Sequence, residues 1–138
     1  ADMLNSAKYL QSHKLSNGKL GAVGFCWGGG TTNFLAVQMG ADLSAAVPFY
    51  GAAPNSEDVV KIQAPLLIQS AEDDPRINAM WPDYETALKS HQKSYARYLY
   101  PGTRHGFHNN STPRYSETAA QLAWERTVNF FRDHLTKP

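Results

Sequence analysis

The 138-residue sequence contains a single cysteine, Cys26. A lone cysteine cannot form an internal disulfide, and the paired cysteine spacings of metal sites are absent. We therefore expect no bound metal, and we interpret the cysteine usage as that of a reducing, cytoplasmic compartment.

Excess charge and long apolar runs are also lacking. The 13 basic residues nearly balance the 12 acidic ones and are scattered along the chain, giving a net charge of +1. This composition predicts neither a nucleic-acid nor an anionic-membrane partner. No apolar stretch approaches the roughly 20 residues that a transmembrane helix needs. Repeats are absent, so the length predicts one domain over residues 1–138.

What the sequence does contain is an alternation of strand and helix patterns. The predicted strands are 19–25, 43–50, 66–69 and 95–100, with Pro48 inside the second and Pro101-Gly102 expected to end the fourth. The predicted helices begin at Asp2, after Cys26, at 81–83 and at 116, and Gly40 is expected to end the second. Their expected apolar faces are Met3, Ala7 and Leu10; Phe34, Leu35 and Met39; Tyr84, Ala87 and Leu88; and Ala120, Ala123, Trp124, Thr127 and Phe131. This alternation predicts the α/β class, with a mostly parallel sheet of about four strands and helices on both faces.

Three chemically active residues each follow a predicted strand: Cys26, Asp74 and His105. In parallel α/β sheets such residues gather at the carboxyl ends of the strands. Histidine can act as a base near neutral pH, and an acid beside it fixes its tautomer. The order nucleophile, acid, histidine is that of the α/β-hydrolases, so we predict a catalytic triad.

The segment 24–28 has the form G-x-nucleophile-x-G, with cysteine in the place of serine. We expect a sharp strand-to-helix turn in which Gly24 and Gly28 let two backbones approach closely. At the start of a helix, Cys26 should favour the thiolate form. The N–H of Trp27 is the predicted oxyanion donor.

The residue pattern leaves alternatives open for the triad. Asp73 competes with Asp74, and His108 competes with His105 as the base. An arbitrary lone cysteine is most often a small buried hydrophobe, although flanking glycines between a strand and a helix argue otherwise here.

Arg76 and Trp81 are candidate substrate-binding residues. Arg76 is suited to grip a carboxylate, and a surface role is an equal alternative. Tryptophan more commonly packs in the core. The glycine cluster matches neither GxGxxG nor GxxxxGK[ST], so no nucleotide cofactor is expected.

Five segments resemble the dienelactone hydrolase (carboxymethylenebutenolidase) family, over nearly the whole chain. They are the cysteine elbow 24–29, the strand end 49–51, Ile62 with 64–66, Asp74 with Ile77, and the histidine motif 105–107. The spacing of Asp74 from Ile77 in that resemblance favours Asp74 over Asp73.

The resemblance implies a cysteine-dependent hydrolase of small-molecule esters or lactones, acting through an acyl-cysteine intermediate without a cofactor. In α/β-hydrolases the nucleophile strand is the fifth of eight, whereas here it is the first. We therefore expect a partial α/β-hydrolase fold whose N-terminal half, with the second oxyanion donor, is missing. The alternative is a catalytically inert fragment that serves as a binding or interaction module. Without the N-terminal half of the sheet, the strand 19–25 would form an exposed apolar edge, which predicts self-association or pairing with the missing segment.

Overall fold

The computed structural model of the chain describes residues 1–137. Its centre is a sheet of four parallel strands in the order β1-β2-β3-β4. The strands are β1 (Gly21–Phe25), β2 (Ala45–Phe49), β3 (Leu66–Asp73) and β4 (Tyr95–Arg104). The helices are α1 (Asp2–Ser12), α2 (Trp27–Met39), α3 (Pro75–Asn78), α4 (Trp81–Ser90) and α5 (Glu117–Leu135), and two 3₁₀ turns span Gly40–Asp42 and Ser56–Lys61. The predicted α/β class and parallel four-stranded sheet are confirmed.

Each face of the sheet has its own apolar core. Ala46, Leu66 and Ile68 pack with residues of α1, α2 and α4 on one face, whereas Val47 and Leu67 pack with α5 on the other. Successive side chains of a strand point to opposite faces, so a strand covered on both sides is apolar throughout. Helices therefore lie on both faces, as predicted.

Two prolines lie within strands. The N–H groups of Ala46 and Tyr50 donate toward β3, so Pro48 between them leaves one bond of that ladder unmade while β2 continues. The prediction that Pro101-Gly102 ends the fourth strand is wrong, because β4 continues to Arg104. β4 is an outer strand of the sheet, and its register against β3 shifts between Ala71 and Asp73. An edge strand with such a shift can accommodate Pro101, which has no backbone N–H.

Several predicted apolar faces are less buried than expected. Only Ala7 of α1 is buried, while Met3 and Leu10 are half-exposed; Phe34 of α2 and Trp124 of α5 are also half-exposed. The face of α4, formed by Tyr84, Ala87 and Leu88, is buried as predicted, and Gly40 ends α2 with a positive φ of 51°.

The first strand forms an exposed edge. Among residues 1–137, β1 pairs only with β2, and Val23 and Phe25 are 38% and 37% exposed. Met3 and Leu10 of α1 line an open groove along this strand, which explains why they are not buried. The predicted apolar edge is confirmed.

Candidate active site

Cys26 occupies a strained turn between β1 and α2. Its φ of 56° and ψ of −119° lie in a region that residues with a side chain rarely adopt. The Cys26 N–H donates to the Phe49 carbonyl over 3.1 Å, and its own carbonyl accepts the Gly29 N–H over 3.0 Å. These bonds hold the side chain at the start of α2, so the predicted sharp elbow is confirmed.

Two glycines make this turn possible. A Cβ on Gly24 would lie 2.0 Å from the Gly28 carbonyl oxygen, and one on Gly29 would lie 2.5 Å from that of Phe49. The expectation for Gly28 was wrong, because a Cβ there would meet nothing within 4 Å. Gly24 and Gly29 are therefore the residues that allow the close approach of backbones.

The Cys26 thiol is partly buried, and its charge state differs from the expectation. Burial is the main cause and raises the pKa of the thiol above its ordinary value. Arg114 and Arg76 lower that pKa through their positive charges, and the Asp74 carboxylate raises it. Since burial prevails, the resting group is a thiol at neutral pH, and the thiolate expected from the helix position is not favoured.

Asp74 and His105 form a close pair across the carboxyl ends of β3 and β4. His105 Nδ1 lies 2.6 Å from Asp74 Oδ2, and Asp74 is only 6% exposed. An ionised carboxylate can only accept a hydrogen bond, so Nδ1 donates and Nε2 of the neutral ring keeps its lone pair. His105 therefore has the tautomer that a general base requires.

The two competing residues are not part of this pair. Asp73 is the exposed last residue of β3. His108 packs against Phe25 with ring centroids 4.9 Å apart, and burial lowers its pKa. Among the described residues, Asp73 forms no ion pair with either histidine, and His108 forms none with Asp74.

Local structure fixes both partners of the pair. Asp74 precedes Pro75 at the start of α3, and its carbonyl accepts the Asn78 N–H over 2.8 Å. Gly106, with a φ of 87°, turns the chain after His105, and Phe107 is fully buried beyond it. The histidine loop is thus anchored in the core while His105 stays partly accessible.

The expected continuous chain of hydrogen bonds is only half formed. Within residues 1–137, no hydrogen bond connects the Cys26 sulfur to His105, whereas the His105–Asp74 bond is present. Catalytic hydrogen bonds are often long in the absence of substrate and tighten in the reacting complex. Cys26 follows β1, Asp74 follows β3 and His105 follows β4, so all three lie at the carboxyl ends of the strands.

Cys26 opens into a cavity of about 690 Å³ bounded by α2, the chain after β2 and α3. Its lining includes Cys26, Trp27, Phe34, Asp58, Arg76 and Ile77. The Trp27 side chain is 83% exposed, and its backbone N–H, at the first position of α2, has no backbone acceptor in the described part of the chain. Arg76 therefore lies on the cavity of the cysteine, as a substrate-binding residue would.

Trp81 is not brought to this cavity. Its ring lies 4.5 Å from the Arg97 guanidinium and packs against Tyr84 and Tyr95, lining a smaller neighbouring cavity. The structure therefore places Trp81 beside the core and not beside Cys26.

Two residues near the site were not singled out by the sequence. Arg114 lies beside the histidine loop, with Nε 3.5 Å from where a Cβ on Gly106 would be. No residue pattern marks it. Tyr50 directly follows β2 and contacts the His105 ring at 5.0 Å between centroids. Its position as the first residue after a buried strand could have marked it in the sequence. The predicted strand 43–50 extended one residue too far and included it.

Residues 1–137 contain neither a candidate metal site nor a candidate membrane-spanning helix. Among residues 1–137, no three His, Cys, Asp or Glu side chains are grouped closely enough to hold a metal ion. None of their helices has the length and apolar character needed to cross a membrane.

Comparison with known proteins gives consistent matches. The model of the dienelactone hydrolase family matches residues 1–135. A protein of Saccharolobus solfataricus named as a carboxymethylenebutenolidase is 35% identical over 132 residues, covering 95% of this chain and 50% of that protein. A Bradyrhizobium protein named as a 2-oxo-3-(5-oxofuran-2-ylidene)propanoate lactonase is 33% identical, covering 97% of this chain and 58% of its own length.

Solved structures agree in fold. A dienelactone hydrolase-like promiscuous phosphotriesterase from metagenomic libraries superposes with a TM-score of 0.83 at 25% identity, over 94% of this chain and 58% of that chain. A Klebsiella pneumoniae structure described as a dienelactone hydrolase gives a TM-score of 0.85 at 27% identity, over 95% and 59%. The chain spans about half the length of the curated relatives it matches.

Proposed function

Because the chain belongs to the dienelactone hydrolase family, we propose that it hydrolyses carboxylic esters or lactones with Cys26 as its nucleophile. One observation carries the proposal. A strained cysteine elbow and the Asp74–His105 pair, in which Asp74 is buried and His105 is partly accessible, both lie at the carboxyl ends of the parallel strands, and the cysteine opens into a cavity. This arrangement has the parts that acyl transfer requires: a nucleophile, a base with a fixed tautomer and a place for the substrate.

The reaction begins from a protonated thiol, since burial raises the pKa of Cys26. His105 Nε2 takes the thiol proton as the sulfur bonds to the substrate carbonyl carbon, and the carbonyl π electrons move to its oxygen. The Asp74 carboxylate stabilises the imidazolium that results. General-base help is therefore needed at the first step, in contrast to enzymes that hold a preformed thiolate.

The oxyanion of the tetrahedral intermediate accepts a hydrogen bond from the Trp27 N–H. The intermediate collapses when the C–O bond breaks and His105 gives its proton to the departing alkoxide. In a lactone, the alcohol so formed stays attached to the acyl group. Water then attacks the acyl-cysteine while His105 removes its proton, the C–S bond breaks, and the acid product leaves as the thiol is restored.

Two positive charges near the cysteine, those of Arg76 and Arg114, would attract an anionic substrate. Arg76 lines the cavity and Arg114 lies beside the histidine loop, and both act electrostatically on Cys26. The name of the Bradyrhizobium relative denotes a lactone that carries a propanoate group. We propose that Arg76 binds a carboxylate of the substrate, as a guanidinium does in two parallel hydrogen bonds.

The test is the hydrolysis of p-nitrophenyl acetate by the purified chain and by Cys26→Ala. We expect turnover above background that disappears in Cys26→Ala and in His105→Ala. His108→Ala is the matched control and should retain activity, because His108 lies outside the Asp74 pair. Equal near-background rates in the wild-type chain and Cys26→Ala would overturn the proposal and favour an inert fragment.

A further inference from the structure

Four residues each stand first after one of the four strands: Cys26, Tyr50, Asp74 and His105. Three of them form the triad proposed above. The fourth, Tyr50, has a φ of 36°. The residues that directly follow β1 and β2, Cys26 and Tyr50, therefore both have a φ in the left-handed region. Non-glycine residues held in such conformations cluster at functional sites.

The backbone of Tyr50 is fixed from two sides. Its N–H donates to the Gln69 carbonyl in β3 over 2.8 Å. The next residue, Gly51, packs so closely on α2 that a Cβ would lie 2.2 Å from the Gly29 carbonyl carbon. Tyr50 is therefore held between the cysteine elbow and the acid-bearing strand.

The ring of Tyr50 is held as firmly as its backbone. The residue is 2% exposed, with ring centroids 5.3 Å from Phe107 and 6.0 Å from Phe49. The His105 ring lies 5.0 Å away at an angle of 58°, within the range of favourable aromatic contacts. Cys26 packs against the same apolar cluster. The ring thus lies against His105, within the same apolar cluster that Cys26 packs against.

The hydrogen bond to Asp74 restrains His105 at Nδ1 only. The imidazole can still tilt about that bond, which would displace Nε2, the atom proposed to take the thiol proton. A rigid ring against the imidazole prevents this tilt. We propose that Tyr50 is a positioning residue that holds the His105 imidazole in one orientation while Asp74 binds its Nδ1. The inference rests on the proposed function only for its catalytic consequence, since the ring contact itself can be tested without activity.

The first experiment observes His105 directly by ¹⁵N-labelled imidazole NMR in the wild-type chain, Tyr50→Phe, Tyr50→Leu and Tyr100→Leu. Tyr100 is the matched control, a buried tyrosine 5.1 Å from Phe107 in the same cluster that does not contact His105. We expect a single tautomer with a protected Nδ1–H in all but Tyr50→Leu, which loses that signal. An unchanged His105 in folded Tyr50→Leu, or an equal loss in Tyr100→Leu, would overturn the proposal.

A second measurement needs no variant that might fail to fold. Nuclear Overhauser contacts between the Tyr50 and His105 rings are expected in the wild-type chain, and their absence would contradict the inference. Tyr50→Phe must retain these ring contacts, because the ring and not the hydroxyl is the positioning group.

The kinetic consequence is a fall of about 10²-fold in kcat for Tyr50→Leu at nearly constant KM, the loss typical of a catalytic group displaced by an ångström. Tyr50→Phe should keep wild-type kcat. Equal kcat in folded Tyr50→Leu and wild type would overturn the positioning role. If wild-type hydrolysis does not depend on Cys26, the proposed function fails, whereas the NMR comparison still decides the role of Tyr50.

Discussion

At the scale of single residues, the charge state of Cys26 is the feature with the clearest consequence. Burial raises its pKa, and the guanidinium of Arg114 opposes that rise. We expect Arg114→Gln to raise the pKa further, because a charge that favours the thiolate is removed. Alkylation by iodoacetamide measures this directly, since the chain has no other cysteine.

The midpoint of the alkylation rate against pH should move upward in Arg114→Gln. Arg132→Gln is the control, because Arg132 is not among the charges that act on Cys26. Arg132 lies on α5, where its guanidinium donates a hydrogen bond to the Asn129 side chain. A midpoint that moves equally in both variants would show that net charge, and not the position of Arg114, sets the thiol pKa.

The Asp74–His105 pair supports a second prediction at this scale. Asp74→Asn replaces a group that can only accept with one that also donates, so the imidazole can take the opposite tautomer. We expect kcat for p-nitrophenyl acetate to fall by on the order of 10³–10⁴-fold, as happens when a triad loses its carboxylate. Asp73→Asn is the matched control, and a comparable loss there would reject the assignment of Asp74.

At the scale of elements, the packing of the elbow against α2 predicts opposite effects on stability when Gly24 and Gly28 are each replaced by alanine. Gly24→Ala would force a Cβ to within 2.0 Å of the Gly28 carbonyl oxygen, whereas a Cβ at Gly28 meets nothing within 4 Å. We expect Gly24→Ala to lower the free energy of unfolding by about 1–3 kcal/mol, the usual cost of overpacking. Gly28→Ala should raise it by up to about 1 kcal/mol, because alanine favours a helix more than glycine does. Urea denaturation measures both values, and equal destabilisation would contradict the geometry.

The packing of the strands also explains which parts of the fold and of the candidate site could be predicted from the sequence. The central strands were predictable because burial on both faces makes them continuously apolar, as in the run around Val47. Cys26, Asp74 and His105 were predictable as candidates because each follows a predicted strand, and polar residues that follow parallel strands gather at the same end of the sheet. The extension of β4 past Pro101 depends on its being an edge strand with shifted register, which no local pattern encodes. Arg114 lies in the loop between β4 and α5, and no motif in the sequence indicates that this loop brings it beside Gly106.

At the scale of the whole molecule, the apolar edge of β1 predicts how the chain behaves in solution. Val23 is 38% exposed on a strand that has one neighbour among the described residues. We expect concentration-dependent self-association, and a decrease in Val23→Lys because a charge on an edge strand opposes pairing. Analytical ultracentrifugation measures both.

Leu15→Lys is the control for that experiment. It adds the same charge at a residue that is 85% exposed and lies between α1 and β1, outside the strand itself. A wild-type chain that remains monomeric at all concentrations would contradict the prediction, as would equal dissociation by both substitutions.

The strands pair in the order in which they occur along the chain. During synthesis, each new strand therefore emerges next to a partner that is already available, and domains commonly fold in this N-to-C direction. The elbow of Cys26 belongs to the first strand and His105 follows the last. The nascent chain thus carries Cys26 before His105, and the two proposed catalytic residues come together only after β4 has joined the sheet.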